Sequence, residues 1–400
     1  MENKWVQIWG QAHSNLSHFY YPSCEKTFRF IISSAISGKA VRIELSNEFA
    51  RNDVTIGEIT VAKCNKNGDL LSEPVIMTSG KKGGFIIEKG AFVYTDEVPL
   101  SIDPSEYLAV SIFVKDGDLR SGNLLNNVTL LTVKGNETHT VSIVNQKRKR
   151  DSVIKAAGNI LNLALHKPLP LIQSVQVLND TDASSIIVLG DSLSQQGFWT
   201  NRLEERIRAE FPGKYTLINR SIMGNRVLRD YSPRFPCKGL FGYAGTKRFL
   251  RDVLSYPDCS YCILALGTND FLQYGTIAAK SDEKPTADAV FDGIKHIYDK
   301  LSENGIKTIV VNTVKFGECI DSRKEKELMV QAYNEKLQQN SRLFYYVFDQ
   351  ASLVENKNKP YCTSKEYLGK DYLHFNELGG KKVADNFPVS LFCDRLNTDN

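Results

Sequence analysis

Apolar and polar positions alternate along much of the first 180 residues. Three runs show this period of two most clearly: residues 39–45 (KAVRIEL), 54–62 (VTIGEITVA) and 107–114 (YLAVSIFV). A period of two places alternate side chains on opposite faces of a strand. Turn signals such as Asn67-Gly68 separate the runs. Many short strands without a clear helix predict a β-sandwich over residues 1–180, in which residues 145–182 supply a closing strand and a connector.

The pattern changes from residue 185 onward, where short apolar runs alternate with longer amphipathic ones. The apolar runs predict strands at residues 185–189, 215–220, 261–266, 308–314 and 344–348. The amphipathic runs predict helices at residues 199–210, 246–255, 287–304, 323–340 and 377–386. Strands separated by helices require right-handed crossovers, which build a parallel sheet covered on both faces. Residues 181–400 are therefore predicted to form a second, α/β domain.

Composition restricts the classes of partner. The 400 residues are 42% apolar and 24% charged, as is usual for a soluble protein of two domains. The net charge of +4 is too small to favour nucleic acid, and the basic cluster at 147–150 is interpreted as a loop. The chain contains no apolar run of about 18 residues that would span a membrane. Its first residues do not resemble a secretory signal, so a cytoplasmic location is expected.

Eight cysteines are scattered along the chain. Cys259 and Cys262 form a CxxC pair, but no second pair of cysteines or histidines stands at a matching spacing. Cys262 also opens an apolar run that is predicted to be a strand. The pair is therefore interpreted as structural, and neither a metal nor a cofactor is predicted.

Polar residues follow three of the predicted strands, at the end of a parallel sheet where ligands usually bind. The first strand leads into Gly190, Asp191 and Ser192, the second into Gly224, and the third into Asn269. A serine at a strand-to-helix turn has an exposed hydroxyl, and its backbone N–H lies near a helix N-terminus, which favours an anion. Ser192 is therefore a candidate nucleophile for acyl transfer, whereas Asp191 is expected to support the turn.

A carboxylate and a histidine stand three residues apart near the C-terminus, as Asp371 and His374. In this arrangement the carboxylate can hold one ring nitrogen while the other faces a serine. The other five histidines fall in the predicted sandwich, in the connector or in the middle of a helix. His374 is therefore the candidate general base.

Four sequence blocks in this order resemble the signature of the SGNH (GDSL-type) hydrolases: GDSLS, IMGNRVL, GTND and DYLHFNELGG. The resemblance covers roughly residues 184–392 and implies a flavodoxin-like, three-layer α/β/α fold. It implies that Ser192 is the nucleophile and that Asp371 and His374 complete the triad. The oxyanion hole would comprise the N–H groups of Ser192 and Gly224 and the side-chain amide of Asn269. The N-terminal part is similar to a jelly-roll-like β-sandwich that precedes this domain in one branch of the family.

Two stretches depart from the family pattern. Residues 194–197 (SQQG) replace the usual Thr-Asp-Gly or similar sequence, and Phe375 replaces a common proline. Neither change involves a reacting atom, but both flank the expected pocket. Phe198, Trp199 and Phe375 are accordingly candidates for the pocket wall, and Trp5 or Trp9 is expected to bring the N-terminal strand to the site.

The resemblance implies a serine esterase that needs no cofactor. A short acyl group, acetyl in particular, on a sugar or oligosaccharide is the favoured substrate. Two alternatives stay open: a lysophospholipase or lipase that acts on longer acyl chains, and a non-catalytic glycan-binding protein. A small-molecule or oligosaccharide ester is the expected partner, without nucleic acid or membrane, and no oligomeric state is predicted.

Overall fold

The computed structural model describes residues 3–17, 25–125, 127–144, 168–232, 237–317 and 324–393. The basic cluster at 147–150 and most of the predicted connector lie outside these ranges. Among the described residues, no helix is both long and apolar enough to cross a bilayer.

Fourteen strands precede residue 180 in the described part of the chain. They are β1 (Lys4–Gly10), β2 (Ser14–Asn15), β3 (Lys26–Ser33), β4 (Gly38–Ser46), β5 (Val54–Cys64), β6 (Val75–Met77), β7 (Phe85–Ile87), β8 (Phe92–Tyr94), β9 (Val98–Ile102), β10 (Tyr107–Asp116), β11 (Ser121–Asn123), β12 (Thr129–Lys134), β13 (Leu169–Pro170) and β14 (Ile172–Asn179). One antiparallel sheet has the order β1-β14-β4-β8, with β9 also paired to β4. A second has the order β12-β3-β10-β5-β6, with β7 also paired to β5.

These two sheets pack on a common hydrophobic core. Val41 and Val177 from the first sheet and Phe30, Ile59 and Val110 from the second belong to one buried cluster. Their strands alternate apolar and polar residues, so each sheet turns one apolar face toward the other. The predicted β-sandwich is confirmed, whereas its bounds as a domain stay a prediction.

A parallel sheet follows, with the strand order β16-β15-β17-β18-β19. Its strands are β15 (Ser184–Gly190), β16 (Tyr215–Asn219), β17 (Cys259–Ala265), β18 (Lys307–Val311) and β19 (Tyr346–Phe348). Two short antiparallel strands, β20 (Glu355–Asn356) and β21 (Lys359–Thr363), come later in the chain. The predicted five-stranded parallel sheet is confirmed.

Helices cover both faces of the parallel sheet. They are α1 (Ser192–Gln195), α2 (Thr200–Glu210), α3 (Gly245–Phe249), α4 (Thr268–Gln273), α5 (Ala287–Glu303), α6 (Lys324–Gln339), α7 (Gln350–Leu353) and α8 (Glu377–Asn386). A π-helical turn (Leu250–Leu254) continues α3, and 3₁₀ turns occupy Ser281–Glu283, Ser341–Leu343, Lys365–Tyr367 and Val389–Phe392. Along β15, Ile187 and Leu189 join one core cluster while Ile186 and Val188 join another. A strand with both faces buried is expected in a three-layer α/β/α fold.

Buried polar contacts join the sandwich to the parallel sheet. The backbone N–H of Gln7 in β1 donates to Asp258 Oδ2 at 3.0 Å. Arg220 donates to the side-chain oxygen of Gln7 at 2.6 Å, and the hydroxyl of Thr216 donates to the backbone carbonyl of Gln7 at 2.7 Å. Because these groups are all buried, separating the two parts would leave them without partners. The sandwich is therefore tightly attached to the edge of the parallel sheet.

Candidate active site

The turn after β15 places Ser192 at the first position of α1. Asp191 caps this short helix, and its Oδ1 accepts a hydrogen bond from Leu193 N at 3.0 Å. Burial raises the pKa of Asp191 to about 6, although the N–H of Leu193 and the nearby His374 act to lower it. A β-carbon at Gly190 would lie 2.6 Å from Ser194 Oγ, so only glycine fits below the turn. Asp191 thus supports the turn, as its position in the sequence predicted.

A second turn carries Asp371 and His374. Asp371 Oδ1 accepts from the backbone N–H groups of Leu373 at 3.1 Å and His374 at 3.0 Å, and Oδ2 lies 2.7 Å from His374 Nδ1. Burial favours the neutral carboxyl, but the hydrogen bonds and the charge of His374 outweigh it and lower the pKa of Asp371 to about 2. Tyr372 adopts a positive φ of 55°, which closes this turn within four residues. Asp371 is therefore ionised and in contact with the imidazole.

These two turns meet at the carboxyl end of the sheet. His374 Nε2 lies 2.8 Å from Ser192 Oγ, although the two residues are 182 positions apart in the sequence. His374 is largely buried, whereas Ser192 keeps an intermediate exposure. With an ionised carboxylate at Nδ1, the ring proton resides on that nitrogen, and Nε2 is left to accept a proton from the serine hydroxyl. The structure brings Ser192, His374 and Asp371 into one hydrogen-bonded chain.

Gly224 lies in the loop after β16, in the left-handed region at φ 66°. A β-carbon there would lie 2.3 Å from the ring of Phe241. Gly224 is a predicted member of the oxyanion hole. The structure adds a steric requirement for glycine, which is the aromatic ring packed directly against the loop.

Asn269 is the second residue of α4, a helix that the hydrophobic pattern did not predict. Its side-chain Nδ2 donates to Asp191 Oδ2 at 3.2 Å, and its Oδ1 accepts from Gln273 Nε2 at 3.3 Å. Gln273 also donates to the backbone carbonyl of Gly224 at 2.7 Å. The side-chain amide of Gln273 therefore connects Asn269 to the Gly224 loop. Gln273, which stands one helical turn after Asn269 on α4, was not predicted from the sequence.

The far end of the Gly224 loop is held by Asp270. Its carboxylate accepts from the backbone N–H groups of Val227 at 2.7 Å and Leu228 at 3.1 Å. Burial raises the pKa of Asp270 to about 6, against the lowering effect of these two hydrogen bonds and of Arg226. Consecutive residues of α4 thus bind the nucleophile turn through Asn269 and the Gly224 loop through Asp270.

Arg248 links the carboxyl ends of β15 and β16. Its guanidinium donates to the backbone carbonyls of Gly190 at 2.9 Å and Arg220 at 2.8 Å, and to Asn225 Oδ1 at 2.8 Å. Its side chain is completely buried and forms an ion pair with Asp252 at 2.7 Å. Arg248 therefore fixes the spacing between the nucleophile turn and the Gly224 loop.

The aromatic candidates for the pocket wall occupy different positions. Trp199 is buried and stacks on Phe387, and Phe375 is fully buried in the same core cluster, so the packing corrects their assignment to an open wall. Phe198 keeps an intermediate exposure and packs against Gly380. Trp199 and Phe375 follow the Ser192 and His374 turns closely in the sequence, which is why both were predicted to line the pocket. In the structure their rings point into the core.

The N-terminal tryptophans do not bring β1 to the site either. Trp9 is buried in the sandwich, where its ring lies 6.2 Å from that of Phe30 and its Nε1 donates to Asn127 at 3.2 Å. Trp5 packs under the guanidinium of Arg42, 4.3 Å from the ring centre. The expectation that either ring reaches the catalytic turns is therefore wrong.

Cys259 and Cys262 are both buried on β17. Burial raises the pKa of the Cys262 thiol to about 12 and raises that of Cys259 well above its usual value. Thiols that stay protonated are poor nucleophiles and poor metal ligands. Among the described residues, no group of three or more His, Cys, Asp or Glu side chains is placed to hold a metal ion. One further cysteine, Cys362, is disulfide-bonded, which the sequence analysis did not predict.

Comparison with known proteins identifies the α/β part of the chain. Residues 186–387 match the family model for GDSL-like lipase/acylhydrolase. Among solved structures, an acetyl xylan esterase, AlAXEase, has a TM-score of 0.39 and 23% identity over 50% of this chain and 96% of its own. A GDSL-like lipase from Bacteroides thetaiotaomicron has a TM-score of 0.38 and 17% identity over 52% of this chain and 87% of its own. A search of curated proteins found no match.

The family match spans half of the chain and contains all four sequence blocks that carry the resemblance. The same residues fold into the parallel sheet and the helices that cover it. The chain belongs to the GDSL-like lipase/acylhydrolase family and is an ester hydrolase.

Proposed function

We propose that this ester hydrolase is a serine esterase that removes short acyl groups, acetyl in particular, from a carbohydrate. The observation that carries the proposal is the continuous hydrogen-bonded chain from Ser192 Oγ through His374 to Asp371, with contacts of 2.8 Å and 2.7 Å. A serine hydroxyl within hydrogen-bond reach of a histidine that is oriented by a carboxylate is the arrangement that activates serine for acyl transfer.

The reaction follows from this arrangement. Ser192 Oγ attacks the ester carbonyl as its proton passes to His374 Nε2, which forms a tetrahedral oxyanion. The imidazolium, stabilised by Asp371, returns the proton to the leaving alcohol, and the acyl group stays on Ser192. A water molecule then attacks the acyl-enzyme by the same proton route and releases the carboxylic acid. Asp371, whose pKa is about 2, stays ionised throughout.

Three donors are proposed to bind the oxyanion. They are the backbone N–H groups of Ser192 and Gly224 and the second hydrogen of the Asn269 side-chain amide. The first amide hydrogen is committed to Asp191 at 3.2 Å, which fixes the orientation of the group. Donors held in place before the reaction stabilise the developing charge without reorganising, and one such donor is typically worth about 3 kcal/mol.

Two features of the packing support a short acyl group. The ring of Phe241 fills the space beside Gly224. Trp199 and Phe375 are turned into the core, so neither side chain extends an apolar channel from Ser192. For the alcohol, we favour a carbohydrate because the antiparallel sandwich ahead of the α/β part is similar to the one found in a branch of the family.

The test is hydrolysis of p-nitrophenyl esters from acetate to octanoate, with wild type beside Ser192→Ala. Ser352→Ala, which removes an exposed hydroxyl on α7, serves as the matched control. We expect fast release from acetate, a steep fall by octanoate, loss of turnover in Ser192→Ala, and normal turnover in the control. Acetylated oligosaccharides would then be compared as substrates.

Two other outcomes would contradict the proposal. Turnover that rises with acyl length would favour a lipase or lysophospholipase. Absence of Ser192-dependent release from all of the esters, together with binding of oligosaccharides, would favour a glycan-binding protein.

A further inference from the structure

A loop of the β-sandwich reaches the catalytic turns through Asn123. Asn123 ends β11, a short strand that pairs with β2 and β13, and its side chain is fully buried. Its Nδ2 donates to the backbone carbonyl of Ser221 at 2.9 Å. Its Oδ1 accepts from Gln195 Nε2 and from the backbone N–H of Leu124.

The two distant partners of Asn123 lie on the segments that carry the proposed oxyanion donors. Gln195 is the last residue of α1, which begins at Ser192. Ser221 stands three residues before Gly224, on the loop after β16. We propose that Asn123 is a positioning residue of the esterase reaction: it holds the nucleophile helix and the Gly224 loop in register from the sandwich. This inference rests on the proposed function of Ser192 and Gly224.

The chemistry of the contacts fixes the orientation of the Asn123 amide. A backbone carbonyl only accepts and a backbone N–H only donates, so Ser221 requires the NH₂ group of Asn123 and Leu124 requires its oxygen; the Gln195 amide then presents its NH₂ group to that oxygen. Turning the Asn123 amide over would place like groups against each other at both backbone contacts. No other uncharged side chain of this length supplies a donor and an acceptor from one rigid plane.

Apolar side chains from the same part of the sandwich also pack against the Gly224 loop, without involving Asn123. Leu16 and Leu124 share a buried cluster with Met223, Leu240 and Phe241. Met223 immediately precedes Gly224, and the ring of Phe241 packs against Gly224. The sandwich therefore contacts the Gly224 loop through the hydrogen bond of Asn123 and through the apolar side chains of Leu16 and Leu124. Of these residues, Asn123 also contacts α1.

The inference gives the sandwich a role in the rate of the reaction. A displacement of about 1 Å in a reacting group can cost roughly 100-fold in rate, even when the change is remote from the chemistry. Loss of Asn123 would release the nucleophile helix and the Gly224 loop from each other, while leaving Ser192, His374 and Asp371 in the protein. The predicted signature is weaker stabilisation of the transition state with little change in ground-state binding.

The experiment compares Asn123→Ala with wild type in the full-length protein. The substrate is p-nitrophenyl acetate, and the second probe is a boronic acid that mimics the tetrahedral intermediate. We expect kcat to fall about 10- to 100-fold with KM changed less than about 3-fold, and the affinity for the boronic acid to fall in parallel with kcat/KM. The matched control is Asn179→Ala, because Asn179 is equally buried and also donates to a backbone carbonyl, that of Ser37, within the sandwich.

Two further variants break the link from either side. Gln195→Ala leaves the sandwich intact and removes the contact to α1, whereas Asn123→Asp keeps an acceptor for Gln195 and loses the donor to Ser221. Each is expected to lower kcat, and the double variant Asn123→Ala with Gln195→Ala is expected to lose less than the product of the two single effects. These variants carry the test if Asn123→Ala does not fold.

Equal kinetics in Asn123→Ala and Asn179→Ala would overturn the inference, as would normal kcat in Gln195→Ala and Asn123→Asp. Failure of the proposed function gives a different result: the wild type would then show no ester turnover that Ser192→Ala removes. Ser192-dependent turnover that is insensitive to Asn123 and Gln195 would reject the positioning role alone.

Discussion

Asp371 accepts three hydrogen bonds, two from backbone N–H groups within its own turn and one from the ring of His374. The two backbone contacts fix the carboxylate, so the imidazole is oriented by a group that is itself held in place. The third contact selects the ring tautomer. The pKa of about 2 follows from these interactions because each of them favours the ionised form.

Asp371→Asn should lower kcat/KM about 1,000- to 10,000-fold while the protein stays folded. The asparagine NH₂ would face His374 Nδ1 and force the proton onto Nε2, so the ring could no longer accept the proton of Ser192. Steady-state hydrolysis of p-nitrophenyl acetate measures the effect. Asp385→Asn, which removes a carboxylate paired with Arg202 on the surface, is the control and should stay near wild type. Retention of more than about a tenth of the activity by Asp371→Asn would exclude this role.

The sequence predicted Ser192, Asp371 and His374 as members of one site because each stands in a short local pattern. Asp371 and His374 are three residues apart, and Ser192 directly follows a buried strand. The residues that hold these groups have no such pattern. Asn123 and Gln195 are 72 positions apart, one at the end of strand β11 and the other in helix α1, so their contact exists only after both parts have folded. The unusual glutamine at position 195 was the available signal, and its partner could not be predicted from it.

Two kinds of restraint act on the loop that carries Gly224. Side chains of α4 hold its backbone, through Gln273 at Gly224 itself and Asp270 at the far end. The ring of Phe241 restricts the space beside it. A left-handed φ of 66° with an aromatic ring in contact is a conformation that glycine adopts without strain and other residues do not.

Gly224→Ala should therefore cost stability in two separable parts. The left-handed conformation costs roughly 1 kcal/mol for alanine, and the contact of 2.3 Å with Phe241 adds about 1–3 kcal/mol by overpacking. Gly213→Ala is the matched control, because Gly213 has a φ of 73° and its β-carbon would meet nothing within 4 Å. Urea unfolding should give about 1 kcal/mol for Gly213→Ala and a clearly larger loss for Gly224→Ala. Equal losses of unfolding free energy in the two variants would show that the ring of Phe241 moves aside without destabilising the protein.

The hydrophobic pattern predicted the long elements and missed the short ones. Helix α5 is long enough to establish an amphipathic period, and the five parallel strands stand out as short apolar runs. Helix α4 was missed because it has six residues and begins with the polar sequence Thr-Asn-Asp. Its first turn is stabilised by tertiary contacts to Asp191 and to the Gly224 loop, which periodicity does not register. The elements that carry the site are thus the least visible in the pattern.

For the whole molecule, the arrangement leaves several charged groups in places that water does not reach. Asp191 and Asp270 flank the site from below, and burial raises the pKa of each to about 6. Asp371 is the opposite case, since its pKa falls to about 2. These shifts link folding to pH in two different windows.

The signs follow from proton binding. Asp191 and Asp270 bind protons more tightly in the folded chain than in the unfolded one, where the pKa is 3.8. Their contribution to stability is therefore complete below pH 3.8 and is lost as pH rises through about 6. Asp371 contributes stability above pH 3.8, which is lost as pH falls through about 2.

Asp270→Asn isolates one of these groups. The substitution removes the titration but also places an NH₂ against one of the two backbone N–H groups that Asp270 binds, so the variant is expected to be less stable than wild type at pH 4. Because ionisation penalises only the wild type, this difference should shrink by about 2 kcal/mol between pH 4 and pH 7. Unfolding free energies from urea titrations at each pH measure it, with Asp299→Asn, at an exposed ion pair on α5, as the control. A difference that stays constant over this range would mean that the Asp270 carboxyl titrates alike in the folded and unfolded chains, and that its two backbone contacts fully offset the cost of its burial.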